Sequence, residues 1–168
     1  MPDGPGLELL RGEIDVDAPG AVLATSFEKE RAVLIVDAAR ILDVLAWLRD
    51  TPGQGFRFLS SLHVADYLPA EPRFGVHYEL LNRERVERIR VKAMLPSESP
   101  EIASCVDLFP TANFQEREAF DFFGIVFTGH PELTRILLPE DYVGWPQRRD
   151  FPVGGEPVTF TYSEKRYG

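Results

Sequence analysis

Glu116, Glu118 and Asp121 bring three carboxylates together in the run Glu-Arg-Glu-Ala-Phe-Asp, with His130 not far behind, in a sequence of 168 residues. Two carboxylates that face each other across a bond can divide the work of general acid and general base, as in a hydrolase. The spacing argues against that use. On a helix Glu116 and Glu118 point roughly 160° apart, so they cannot flank one substrate bond. The run therefore reads as a charged helix face used for packing or partner binding. Asn113 and Glu116 have the spacing of a capping box for a helix over Phe114 to Phe123. Ala119, Phe120, Phe122 and Phe123 then lie on one side, Arg117, Glu118 and Asp121 on the other, and Gly124 is available as a left-handed terminator. Glu116 falls on the apolar side, where it must be tied to the cap or neutralised by an arginine, since an unpaired buried charge is very costly.

The other reactive residues read as structural. His130, in Thr128-Gly129-His130-Pro131, invites a relay or ligand role. However, His63 and His77 sit in strand-like runs with no metal-ligand spacing to it, so it is read as a turn residue bonded to the backbone. The single cysteine, Cys105, leaves no Cys-x-x-Cys pair for zinc or an iron–sulfur cluster and excludes an internal disulfide. With Ile102, Val106 and Phe109 it forms one helical stripe, as a buried thiol would. Neither a dinucleotide fingerprint nor a Walker loop is present; Gly53-Gln54-Gly55 lacks the third glycine and a preceding strand. Arg88, Arg90 and Lys92 alternate along a strand, and Glu79 on the neighbouring strand is the expected ion-pair partner.

These residues need a scaffold, and the hydrophobic pattern supplies one. Residues 1–20, with Pro2, Gly4, Pro5, Gly6, Gly12, Pro19 and Gly20, read as a flexible leader. Val22 to Phe27 and Ala32 to Val36 predict a hairpin, and Asp37 caps a helix over Ala38 to Asp50. Phe56 to Asp66, Arg73 to Leu81 and Val86 to Leu95 predict three more strands, the last two with strict alternation. Ser99 and Pro100 have the chemistry to open a short helix towards Phe109. The expected fold is α+β: a mainly antiparallel sheet with a few packed helices over residues 21–138, followed by a long irregular arm over 139–168. That arm carries Trp145, Phe151 and Phe160 between prolines and glycines. Unstructured connections longer than about 12–15 residues are uncommon in compact domains, so the arm reads as a strap for docking a partner.

A formal charge of −9 argues against nucleic-acid binding, which needs lysine and arginine gathered on one face. No apolar run approaches the roughly 18 residues needed to cross a bilayer, so the expectation is a soluble chain.

The ordered set Glu116-Arg117-Glu118, Asp121, Phe122-Phe123-Gly124-Ile125, Gly129-His130-Pro131, Arg135-Ile136-Leu137, Pro139-Glu140-Asp141 and Gly144-x-Pro146-x-Arg148-Arg149-Asp150-Phe151-Pro152 resembles the C subunit of NADH-quinone oxidoreductase, the 30 kDa subunit family of respiratory complex I. Thr134, Gln147 and Arg149 depart from the basic residue, leucine and lysine common there. The resemblance implies a cofactor-free subunit of the peripheral arm, bound to the D subunit, which helps form the quinone chamber, and to other peripheral-arm subunits. It would lie on the cytoplasmic face of the inner membrane, attached only through the complex. FMN and iron–sulfur clusters would reside in partner subunits, which pass electrons from NADH to quinone. The resemblance also implies family-signature or docking roles for Glu116, Arg117, Glu118, Asp121, Gly124, His130, Arg135, Arg148, Arg149 and Asp150. The competing readings are the equivalent subunit of a plastoquinone dehydrogenase, a coenzyme F420-linked dehydrogenase or a membrane-bound hydrogenase, and a free-standing acid/base hydrolase.

Overall fold

A computed structural model describes residues 4–28 and 31–152. Five strands, β1 (Val22–Glu28), β2 (Arg31–Val36), β3 (Phe58–Asp66), β4 (Phe74–Asn82) and β5 (Glu87–Leu95), form one sheet in the order β1-β2-β5-β4-β3. Every pairing is antiparallel except β2 with β5. Three helices, α1 (Gly4–Asp17), α2 (Ile41–Asp50) and α3 (Ala112–Phe123), and a two-stranded parallel ribbon of β6 (Glu101–Ala103) and β7 (Val126–Thr128) complete the described fold. This is the expected α+β class.

Alternation along the strands decides which sheet face is buried. The register sets Ala32, Leu34 and Val36 of β2 beside Ile89, Val91 and Ala93 of β5, and these beside Leu80, Tyr78 and Val76 of β4. All nine are buried, with Ile41, Val44, Leu45 and Leu48 of α2 in the same cluster. On the opposite face Glu79 and Arg90, direct cross-strand neighbours, form the expected ion pair at 2.5 Å. The His63 and His77 rings stack there at 5.0 Å. Asp37 caps the chain into α2 as predicted, accepting from the Ala39 amide at 3.0 Å; the first turn is a 3₁₀ segment, Ala38–Arg40.

Two expectations are overturned. In place of a leader there is helix α1, because Leu7, Leu10 and Ile14 share one stripe and are buried in the core. Their spacing is obscured in the sequence by Gly4, Pro5 and Gly6 in the first turn and by Gly12 on the exposed side. Trp47 Nε1 donates to Asp17 at 2.8 Å and ties the helix end to α2. The helix expected from Ser99 to Phe109 is also missing. Ser99 takes a positive φ of 51°, residues 101–103 pair with β7, and only a turn closed by Phe109 N to Cys105 O at 2.8 Å follows. Ile102, Cys105 and Phe109 are buried as a helical stripe would require. A parallel partner distant in sequence took the segment that local periodicity assigned to a helix.

Candidate functional site

Helix α3 and the chain that returns over it, residues 124–152, gather the charged residues singled out by sequence. The helix begins at Ala112, and its cap, Thr111, makes no side-chain bond, so the Asn113/Glu116 capping box does not form. Asn113 lies inside the helix, and its carbonyl accepts from His130 Nε2 at 3.2 Å. His130 Nδ1 in turn accepts from the Glu132 amide at 3.0 Å. Nδ1 thereby shapes the turn and Nε2 ties it to α3, so both ring nitrogens are bonded to backbone.

Glu116 is fully buried, and neither a cap nor an arginine satisfies it. Its two oxygens accept from Ser104 Oγ at 2.6 Å and from the Cys105 amide at 2.8 Å. Burial raises the pKa of Glu116 despite those donors, and burial beside Glu116 pushes the Cys105 thiol well above its ordinary value. Tyr78 Oη is buried without a partner among the described residues. The carboxyl group is a strut between α3 and the turn after β6. Glu118, by contrast, is exposed. The two glutamates share no cleft, so the hydrolase pair has no geometry.

Asp121 also departs from expectation: it is fully buried rather than on the solvent face. Its Oδ1 accepts from Arg135 at 2.8 Å, and its Oδ2 accepts from the amides of Ile136 at 3.0 Å, Leu137 at 2.7 Å and Leu138 at 2.9 Å. Burial alone would raise its pKa, but the Leu138 and Leu137 amides, Arg135 and the Ile136 amide together hold it below the ordinary carboxylate value. Arg135 also donates to the carbonyls of Tyr142 at 3.0 Å and Gly144 at 3.2 Å, with its guanidinium 4.7 Å from the Trp145 ring centroid. Arg117 holds the same stretch from the helix side through Thr134 and the Arg135 carbonyl. One carboxylate and two arginines thus wind an irregular segment that has few backbone partners of its own.

The returning chain then closes on the end of α3. Gly124 takes a φ of 70°, and a Cβ there would stand 2.6 Å from the Trp145 ring. Arg148 Nε donates to the Phe123 carbonyl at 2.7 Å, and the Gln147 amide to the Phe122 carbonyl at 3.2 Å, satisfying acceptors that a helix end leaves open. Arg73 is the second anchor. It is buried and grips Asp66 at 2.7 Å and Asp150 at 2.6 Å, while the Arg149 amide donates to Asp66 at 2.8 Å. The Arg73 bonds, against the opposing effect of burial, hold Asp66 far below the usual carboxylate range.

Arg148 and Asp150, to which the resemblance gives signature or docking roles, bond the chain's own body. Arg149 is exposed, yet its guanidinium bonds the Leu68 carbonyl. The arm beyond Pro152, including Phe160, lies outside the described residues. Sequence reasoning misses Asp66 and Arg73, since alternation puts Arg73 in the solvent row of its strand. The available signal is a carboxylate ending one strand and an arginine opening the next across a turn with Pro69 and Pro72. Outside the latches, Phe114, Leu137 and Val143 are 63%, 62% and 88% exposed. Among the described residues no three histidine, cysteine, aspartate or glutamate side chains are arranged to hold a metal, and no helix is long and apolar enough to cross a membrane.

Residues 34–157 match the family described as respiratory-chain NADH dehydrogenase, 30 kDa subunit. The chain is 44% identical to the C subunit of NADH-quinone oxidoreductase from Roseiflexus sp. (strain RS-1), over 95% of this chain and 90% of that one. It is 47% identical to the same subunit from Herpetosiphon aurantiacus, over 78% and 77%. Among solved structures, the trypsin-resistant fragment (1–134) of Nqo5 superposes with a TM-score of 0.64 at 31% identity, over 76% of this chain and 98% of the fragment. A chain of the membrane-bound sulfane sulfur reductase, an archaeal respiratory membrane complex, gives 0.71 at 26% identity, over 86% and 85%.

Proposed function

The chain belongs to the 30 kDa subunit family of respiratory-chain NADH dehydrogenase, and from that membership we propose that it is a cofactor-free subunit of the peripheral arm of a proton-translocating NADH-quinone oxidoreductase. In this reading it binds the D subunit, supports the quinone-reducing module, and lies at the cytoplasmic face of the inner membrane without entering the bilayer. FMN and iron–sulfur clusters belong to its partners, and the chain alone does not oxidise NADH.

The observation that carries the reading is how α3 and the returning segment are built. Asp121, Arg135 and Arg73 spend their charges on holding residues 135–150 in one conformation, while Ile136, Leu137 and Val143 on that stretch are left facing outward. An irregular segment pre-organised in this way presents apolar side chains to a partner with little ordering entropy left to lose. A catalytic site would instead gather its titratable groups around an open cleft, whereas Glu116 and Glu118 are separated by the helix.

A second reading draws on the archaeal neighbour, whose complex is described as a sulfane sulfur reductase. In that reading the chain serves a different electron-input module, such as that of a plastoquinone dehydrogenase, a hydrogenase or a coenzyme F420-linked dehydrogenase. Membranes from cells lacking this chain, with and without complementation, separate the two. Loss and recovery of NADH-dependent quinone reduction supports the first reading. Unchanged NADH oxidation with loss of another donor's activity supports the second.

A further inference from the structure

Strand β3, one of the two edge strands of the main sheet, leaves backbone hydrogen-bonding groups open on its outer side. Strand β3 pairs with β4 on one side only. From Ser61 onward, past a register shift between Leu59 and Ser61, its odd residues turn their backbone groups inward: the Tyr67 amide continues the ladder by donating to the Arg73 carbonyl at 2.8 Å, in register with His63 opposite His77. Its even residues therefore turn outward. The Leu62 amide agrees with this, since it donates to the side-chain carbonyl of Gln115 on α3. Val64, the next outward residue, has no such partner among the described residues, and the Leu62 carbonyl stands beside it.

That stretch lines a cleft of about 270 Å³ between β3 and α3. Ala119, Phe122 and Phe123 give it an apolar lining, which it shares with Gln147 and the exposed Glu118. Glu118 makes no ion pair or hydrogen bond with any described residue, unlike Arg117 beside it. A row of backbone donor and acceptor groups over an apolar floor is what an extended peptide satisfies, by adding a strand to an exposed edge. A helix, whose backbone groups are already paired, would leave the Val64 amide and carbonyl unanswered. The unpaired carboxylate of Glu118, on a chain of net charge −9, selects for a cation on the incoming segment.

We propose that the open edge at residues 62–64 receives an extended segment of a partner polypeptide, which bonds the Val64 backbone, sets an apolar side chain on Phe122 and Phe123, and places a lysine or arginine against Glu118. This deepens the subunit reading and rests on it for the existence of a partner.

The test compares amide hydrogen exchange at Val64 in the full chain alone and in the complex isolated from membranes. Slowing by at least about tenfold in the complex is expected, because a newly paired edge amide exchanges only when that pairing opens. Two variants accompany it. Val64→Pro removes the outward donor at an edge position where proline does not interrupt the ladder, and Glu118→Lys reverses the exposed charge. Each is expected to reduce recovery of partner subunits severalfold, and Glu118→Lys to do so with an unchanged melt of the free chain. An intact complex in which Val64 exchanges as fast as in the free chain overturns the inference and leaves the subunit reading standing. Recovery of the chain without any partner overturns both. Slow exchange already present in the isolated monomer, or a dimer of this chain with Val64 protected, shows that the edge is filled from within or by a second copy, and overturns the partner-strand proposal.

Discussion

Replacing Glu116 separates a buried strut from a buried charge. Glu116→Ala leaves the Cys105 amide without an acceptor in a region closed to water, which costs about 1–3 kcal/mol. The Ser104 hydroxyl can rotate elsewhere, but deleting the buried side-chain carbons adds roughly 1 kcal/mol more. The expected loss is therefore about 3 kcal/mol, or a fall in melting temperature of roughly 6–12 °C for a domain of this size. Glu116→Gln keeps an acceptor for Cys105 and offers an amide to the Ser104 oxygen, so it is expected within about 1 kcal/mol of wild type. The sign of the pH effect follows from the raised pKa: folding favours the protonated acid, so wild type gains stability relative to Glu116→Gln as pH falls through the folded-state value. Thermal melts of the three proteins across pH, with complex activity measured on the same variants, provide the assay. A Gln variant as unstable as the Ala variant would show that the site requires a charged carboxylate and refute the reasoning. A stable, fully assembled Ala variant with no turnover would refute the structural role itself.

Three further outcomes follow from the latches and the sheet. Arg73→Ala takes the guanidinium from the Asp66 side chain, which is 2% exposed and keeps only backbone-amide donors, and should cost about 3–5 kcal/mol; Asp150→Asn removes a partner that is 53% exposed and should cost less than about 1 kcal/mol, and equal effects in urea unfolding would contradict the hub. Gly124→Ala should cost about 1–2 kcal/mol for its left-handed backbone and more for the clash against Trp145, with red-shifted Trp145 emission read in a Trp47→Phe background; an unchanged spectrum would contradict the close approach. Burial lowers the His77 pKa from 6.5 to about 3, so the unfolded chain binds a proton that the folded chain does not, and stability should fall as pH drops below 6.5 by up to about 1.4 kcal/mol per unit. His77→Gln should flatten that slope above the range where carboxylates titrate, and an identical slope would show that His77 is protonated in the fold.

What could be read in the sequence was set by local patterning. The alternation from Phe74 to Leu95 places the core face of β4 and β5 almost residue by residue, and Gly124 ends α3 in the left-handed conformation that its position suggests. Three features were hidden because their cause lies elsewhere in the chain. The apolar stripe of α1 is interrupted by glycine and proline, so tertiary burial outweighed propensity. β6 is specified by β7, across the whole of α3. Asp121 looks like a surface residue until the amides of residues 136–138 fold around it, and Asp66 and Arg73 acquire their role only when Asp150 returns to them. The ordered signature pointed to the family without revealing that Glu116, Asp121, Arg135, Arg148 and Asp150 are spent inside the subunit.

The central claim, that this chain works as a bound subunit of an NADH-quinone oxidoreductase, is tested most directly by isolating the tagged chain from its own membranes under mild detergent and identifying its companions by mass spectrometry. The account predicts stoichiometric recovery of the D subunit and other peripheral-arm subunits, with NADH-dependent quinone reduction in the same fraction. A chain recovered alone, or in an active assembly without those subunits, would contradict it.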